Sequence, residues 1–166
     1  RTRSDTEVIL HAWREWGVGY LERLNGMFAF ALWDSHRQQL FIARDRLGVK
    51  PLYYTTLQDG SIWFASELKA LTAHPDLNRT IDPTALEDYF TFGYVPDPRS
   101  IYKSVAKLAP GHYMLVEQDN RPKIKCYWDL DLTSGCDYGI PESELADAVA
   151  EQLKEAVKRR LVSDVP

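Results

Sequence analysis

The sequence predicts an α+β fold in which antiparallel strands are covered by helices, and three observations carry that expectation. The stretch MFAFALW at residues 27–33 is apolar without alternation. A strand wet on one face would alternate, so this one reads as covered on both faces. Four strand-length segments between residues 27 and 65 follow one another through short connections, as in an antiparallel meander. Helical patterns stand before and after them, which supplies the layers that bury a sheet.

Ser4-Asp5-Thr6-Glu7 reads as a capping box, with Ser4 accepting from the Glu7 amide and the Glu7 side chain reaching back. The helix it opens sets Val8, Ile9, Ala12, Trp13 and Trp16 on one face and closes at Gly17. A shorter helix with Tyr20, Leu21 and Leu24 is expected to stop at Asn25-Gly26, where a helix end favours a left-handed residue. After the apolar strand, a polar turn at 35–39 leads into a second strand at 40–43. A third at 51–57 and a fourth at 61–65 join through Asp59-Gly60. Asp82-Pro83 is an N-cap followed by a proline at the first helical position, opening a helix that ends near Gly93. A proline-rich loop covers 94–100, and a hairpin after Pro110-Gly111 pairs 112–117 with 123–127. Residues 131–141 shift to Asp, Ser, Gly and Thr and read as a linker between a first domain, 1–130, and the start of a second, 142–166. In the second, Leu145, Val149, Leu153, Val157 and Leu161 recur every fourth residue along a charged helix.

The hydrophobic share of 45% and the charged share of 27% belong to a globular chain. A net charge of −4 without a basic stripe argues against nucleic acid as a partner. No apolar run approaches the about 20 residues that cross a bilayer, so no membrane partner is expected. Arg1 in place of an initiator Met, and an end directly after a long helix, suggest an internal segment of a larger protein. Cys126 and Cys136 form neither a disulfide framework nor a metal site, and His11, His36, His74 and His112 share no ligand spacing. The residues alone show no nucleophile–base–acid order and no glycine-rich phosphate loop. Taken by itself, Asp5 complements a helix dipole.

Four ordered stretches, SDTEVILHAW, LNGMFAFALWD, ARDRLGVKPLYY and FASELKAL, together resemble the class II, N-terminal nucleophile glutamine amidotransferase domain of glutamine-hydrolysing asparagine synthetases. FGYVPDPRSIYKSVAKLAPGHY and RRLVSDVP resemble the region leading into the synthetase domain of those enzymes. The resemblance covers nearly the whole chain. It implies an αββα sandwich of the N-terminal nucleophile type, incomplete at its N-terminus, followed by the first helix of an α/β ATP-pyrophosphatase-like domain. In that family an N-terminal cysteine attacks the side-chain amide of glutamine with its own α-amino group as base. The ammonia released passes to a site where ATP has adenylated the β-carboxylate of aspartate. Neither Cys126 nor Cys136 bears a free α-amino group, so the resemblance places the nucleophile upstream of Arg1, and no catalytic residue is expected in this chain. Asn25-Gly26 lacks the glutamate of the family's oxyanion element and reads as a turn.

By the same resemblance Asp5 matches the aspartate that binds the α-ammonium of glutamine, which would supply a charge-assisted hydrogen bond. Arg44, Asp45, Gly48 and Pro51 match an element that recurs through the family. An Arg–Asp pair, a turn glycine and a proline would lock the strand junction there, as structural supports near the site. Lys50 and Glu67 read as solvated or locally paired. The implied substrates of the parent are glutamine, aspartate and ATP, with ATP and Mg2+ held outside this segment. A cytoplasmic location is expected, and a homodimer is compatible with it. Other readings stay open: a relative acting on another acceptor, a β-lactam-synthetase-like enzyme without glutaminase activity, or a scaffold domain without turnover.

Overall fold

The structure, a computed structural model, describes residues 4–118, 121–133 and 139–161. Its contacts divide the chain into one unit ending at Asp129 and another beginning at Leu130.

In the first unit, α1 spans Asp5–Trp16. Ser4 caps it, but its hydroxyl accepts from the Thr6 amide at 3.2 Å, one residue short of the expected capping-box partner. Glu7 also faces His11 one turn on, at 3.6 Å. Gly17, at φ 54°, ends the helix and opens a 3-10 turn over Gly17–Arg23. That turn replaces the expected short helix. It closes on Leu24 in an extended conformation, and the glycine of positive φ in the region is Gly17 and not Gly26.

Among the described residues seven strands follow: β1 Ala29–Asp34, β2 Gln39–Arg44, β3 Tyr53–Thr56, β4 Ile62–Ala65, β5 Ala106–Lys107, β6 His112–Val116 and β7 Pro122–Cys126. They do not form the single meander that the sequence suggested. A four-stranded sheet runs β1-β2-β6-β7 and a three-stranded sheet runs β4-β3-β5. The pairings β1–β2 and β3–β4 hold as expected, with Phe30 opposite Ala43 and Tyr54 opposite Phe64. The chain leaves the first sheet after Arg44, and β2 pairs on its other side with β6, Ile42 opposite Met114.

The doubly buried strand is therefore β2. Its Phe41 and Ala43 face one core with Trp13 of α1 and with Tyr20 and Leu21 of the 3-10 turn. Its Ile42 faces a second core with Met114, Leu52 and Leu108, to which Tyr54 and Ile62 of the other sheet add. One face of the larger sheet thus meets helix, and the other meets the smaller sheet. β1 is an edge strand: Phe30 and Leu32 join the first core, but on the opposite face only Ala29 packs, and Trp33 is 57% exposed. The expectation that residues 27–33 are covered on both faces is corrected accordingly. Trp13 fixes α1 to the sheet by stacking on Phe41 at 4.6 Å and by donating its indole N–H to Asp34 Oδ2 at 2.8 Å. That bond, first among several, holds the Asp34 carboxyl below its ordinary pKa.

A short helix, α2 at Leu68–Leu71, seats Leu71 in a third core with Leu77 and Val105. In α3, Pro83–Phe92, Asp82 accepts from the Thr84 amide, Pro83 occupies the first turn, and Gly93 closes at φ 77° as expected. In the second unit α4 spans Glu142–Arg160, with Leu145, Val149, Leu153 and Val157 exposed along it. The expected linker at 131–141 includes residues 134–138, among them Cys136, which lie outside the described residues, as do 162–166.

Candidate functional site

The connection from β2 to β3 is built around two buried charges. Asp45, 1% exposed, turns its carboxylate inward, where Oδ1 accepts from the amides of Leu47 (3.2 Å) and Val49 (2.9 Å). Its Oδ2 accepts from Lys50 (2.9 Å) and Phe28 (3.3 Å). A carboxylate taking backbone N–H groups from both sides of a turn winds residues 46–50 into a fixed shape and ties them to the start of β1. Arg44 works on the carbonyls. Its Nε donates to Lys50 O (2.9 Å), Nη2 to Gly48 O (2.7 Å) and Nη1 to Leu108 O (2.6 Å). The pairing of Arg44 with its neighbour Asp45 that the sequence suggested is corrected. The carboxylate partner of Arg44 is Asp97, with Nη1 and Oδ2 2.9 Å apart, in the proline-rich loop after α3. The physical reason is that consecutive side chains in a strand point to opposite faces. Both charges are supports, engaged by backbone at nearly every polar atom.

Gly48 is required by this crowding. At φ 65° a Cβ there would stand 2.7 Å from Pro110 Cγ and 2.9 Å from the Arg44 guanidinium carbon.

The turn so fixed forms one wall of a cavity of about 390 Å³, lined by Lys50 and Pro51, by Asp5, Thr6 and Ile9 of α1, by residues 27–30, and by Ser66 after β4. This volume is at the lower end of the range for small-molecule sites, about 300–1,000 Å³. Asp5 occupies the first turn of α1. One oxygen, Oδ1, accepts from the Thr6 amide at 2.8 Å and lies 3.4 Å from Ser4 Oγ. The other meets no partner among the described residues, so half of this carboxylate is spent on the helix end and half is open. Met27, Phe28 and Phe30 give the cavity an apolar side. The sequence reading of Lys50 as solvated or locally paired did not place it at the cavity, which this exposed residue lines with its backbone held by Asp45 and Arg44. The signal was present in the order turn-Lys-Pro, where a proline with a fixed φ follows a residue pinned at both backbone atoms. Glu67 is locally paired, 2.7 Å from Lys69. Asn25 and Gly26 do not line the cavity.

Cys126 ends β7, exposed, with its thiol 3.2 Å from Trp128 O. It does not border the cavity. No described helix is long and apolar enough to cross a membrane.

A glutamine amidotransferase domain family matches residues 1–128. The chain belongs to that family. Its general chemistry is hydrolysis of the glutamine side-chain amide and transfer of the ammonia released. An asparagine synthetase [glutamine-hydrolyzing] of Bacillus subtilis, the one numbered 3, is 41% identical over 98% of this chain and 26% of its own length. A putative asparagine synthetase [glutamine-hydrolyzing] of Methanocaldococcus jannaschii is 39% identical over 99% of the chain and 32% of its own length. The amidase chyE of Penicillium rubens is 37% identical over 98% of the chain and 24% of its own length. The amidotransferase chain thus spans about a quarter to a third of the length of these relatives.

Proposed function

We propose that this chain is the C-terminal part of the glutaminase domain of an ATP-dependent asparagine synthetase, continuing into the first helix of the synthetase domain. Glutamine would occupy the cavity beside α1, with its α-ammonium on the open oxygen of Asp5. That half-committed carboxylate in a cavity of suitable size is the observation that carries the reading. A positive charge at Lys50 and a negative one at Asp5 on the same cavity also suit a zwitterionic amino acid. The layers of helix, four-stranded sheet and three-stranded sheet are compatible with an N-terminal nucleophile sandwich, whose cysteine we place upstream of Arg1. The adenylation of aspartate, with ATP and Mg2+, is assigned in this reading to the parent's other domain. A second reading keeps the glutaminase and changes the acceptor. It is favoured by the 37% identity to a protein named an amidase rather than an asparagine synthetase.

The test is Asp5→Asn in the full-length parent. The amide keeps size but loses the charge, so one charged hydrogen bond is lost, at about 1.5–3 kcal/mol, or roughly ten- to a hundredfold in glutamine-dependent kcat/KM. Ammonia supplied in solution bypasses this site, so the ammonia-dependent rate should stay within about twofold of wild type. An unchanged glutamine rate would remove Asp5 from the site. The purified segment alone should release no glutamate from glutamine above a protein-free control. Release would refute the placement of the nucleophile upstream.

A further inference from the structure

Arg44 is 5% exposed, so its charge needs a partner within the fold. Among the described residues its one carboxylate partner is Asp97, whose Oδ2 lies 2.9 Å from Nη1. The other oxygen of Asp97 lies 3.4 Å from Lys107 Nζ, so one carboxylate balances two largely buried cations. Asp97 itself does not border the cavity. Its reach to the cavity runs through Arg44: the guanidinium it neutralises donates to the Lys50 carbonyl, and Lys50 and Pro51 line the cavity together with Asp5, Thr6 and Ile9 of α1. Arg99, two residues on, forms a forked pair with Asp88 of α3, with Nη2 2.6 Å and Nε 3.1 Å from Oδ2. The loop bearing Asp97 is thereby anchored to a helix and not left to drift.

We propose that Asp97 is a positioning residue for the amino-acid cavity, acting through Arg44 on the Lys50–Pro51 wall. The proposal rests on the reading of that cavity as the glutamine site. If Asp97 loses its charge, a desolvated guanidinium is left unbalanced. Arg44 then turns toward water, and the Lys50 and Gly48 carbonyls lose their donors. The wall shifts more than the two cores, which are held by side-chain packing around Phe41, Ile42 and Met114, although the Leu108 carbonyl at the margin of the second core also loses its donor. A displacement of this kind acts on the fit of the substrate more than on the stability of the unit.

The experiment uses the full-length protein carrying Asp97→Asn, with Asp97→Glu as the charge-conserving companion. For Asp97→Asn the KM for glutamine should rise about tenfold, with the ammonia-dependent rate unchanged. For Asp97→Glu, which keeps the charge and moves it by one methylene, the rise should be smaller, about threefold. Amide exchange at residues 46–51 should quicken at least about tenfold in the Asn variant, with β2 and β6 unaltered. A fall of glutamine- and ammonia-dependent rates together at unchanged KM would overturn the proposal and leave Asp97 a residue of the fold alone. Should Asp97→Asn be insoluble, unaltered KM and exchange in Asp97→Glu would overturn it equally. A wild type active on glutamine with an unaltered Asp97→Asn refutes only this inference, whereas a wild type that does not hydrolyse glutamine refutes the glutaminase reading and this one together.

Discussion

Asp5 lines the cavity and Asp45 braces two residues that line it, Phe28 and Lys50, and the fold treats the two carboxylates in opposite ways. Asp45 is withdrawn from solvent and takes amides from Phe28, Leu47, Val49 and Lys50, so both oxygens are filled. Asp5 is exposed at a helix start, with one oxygen on the Thr6 amide and the other open. A carboxylate whose acceptor sites are used up by backbone can shape a turn but has nothing left to offer a ligand. One with an open oxygen at a cavity contributes little to folding and can bind. Reading which lone pairs are already spent separates support from site more sharply than the presence of a charge does.

The largest effect expected from this contrast is at Asp45. Asp45→Ala removes a buried carboxylate that four amides share, at a turn whose own residues are exposed or half-buried, and the loss of stability should be about 3–5 kcal/mol. Urea denaturation measures it, and a loss below about 1 kcal/mol would break the comparison. Gly48→Ala should cost about 2–4 kcal/mol through strain at positive φ and the close approach to Arg44, read from thermal unfolding. If Gly48→Ala were as harmless as a surface change, the turn would be looser than its hydrogen bonds indicate.

Tyr127 gives a third, smaller effect, and one that depends on pH. Its hydroxyl donates to Arg44 O at 2.8 Å. Burial, with the Asp45 charge second, pushes its pKa up to about 12 from an ordinary value of 10.0. The folded value is the higher one, so its contribution to stability is complete below about pH 10 and is lost as pH rises toward about 12. Tyr127→Phe should lower stability by about 1 kcal/mol at neutral pH and flatten the decline above about pH 10. Tyr20, Tyr54 and Tyr113, also raised by burial, retain part of that decline. Denaturation midpoints at neutral and alkaline pH decide the point, and an unchanged alkaline slope would show that Tyr127 carries no share. The smallest change in stability is expected at Asp5→Asn, about 0.3–1 kcal/mol, the worth of a charge at a helix N-terminus. A larger loss would show that Asp5 belongs with Asp45.

Much of the local structure was legible because it rests on neighbours in sequence. The N-cap at Asp82, the proline after it, the left-handed Gly93 and the Asp59-Gly60 turn each follow from a few adjacent residues, and each is in place. The separation into two sheets was not legible. A short connection between β2 and β3 looks like a hairpin, and nothing local reveals that Arg44 and Asp45 consume the backbone groups of residues 46–50. The strand that displaces β3 from β2 arrives some 70 residues later, as Met114 opposite Ile42. Residues 27–33 misled for a related reason: composition reports apolarity, whereas the edge position of β1 leaves Trp33 outside. Asp5 was singled out only through family resemblance, since Ser-Asp at a helix start is ordinary capping, and what the structure adds is its place on the cavity. Lys50 was hidden because its place depends on the partners of Arg44.

The Arg44 guanidinium also sets an order of events during folding. It bonds to Lys50 close by, but to Asp97 at a sequence separation of 53 and to Leu108 at 64, while its carbonyl receives Tyr127 at 83. Each distant partner requires closure of a long loop before it returns any stabilisation, whereas the β1–β2 ladder needs only the turn at 35–38. The early chain therefore holds its hairpins while the cavity wall is still unformed. Substitutions at Asp97 or Tyr127 should accordingly speed unfolding more than they slow folding, with low φ-values on both. A ligand that binds only the finished wall meets the protein at the last step of its assembly, and stabilises it chiefly by delaying its escape.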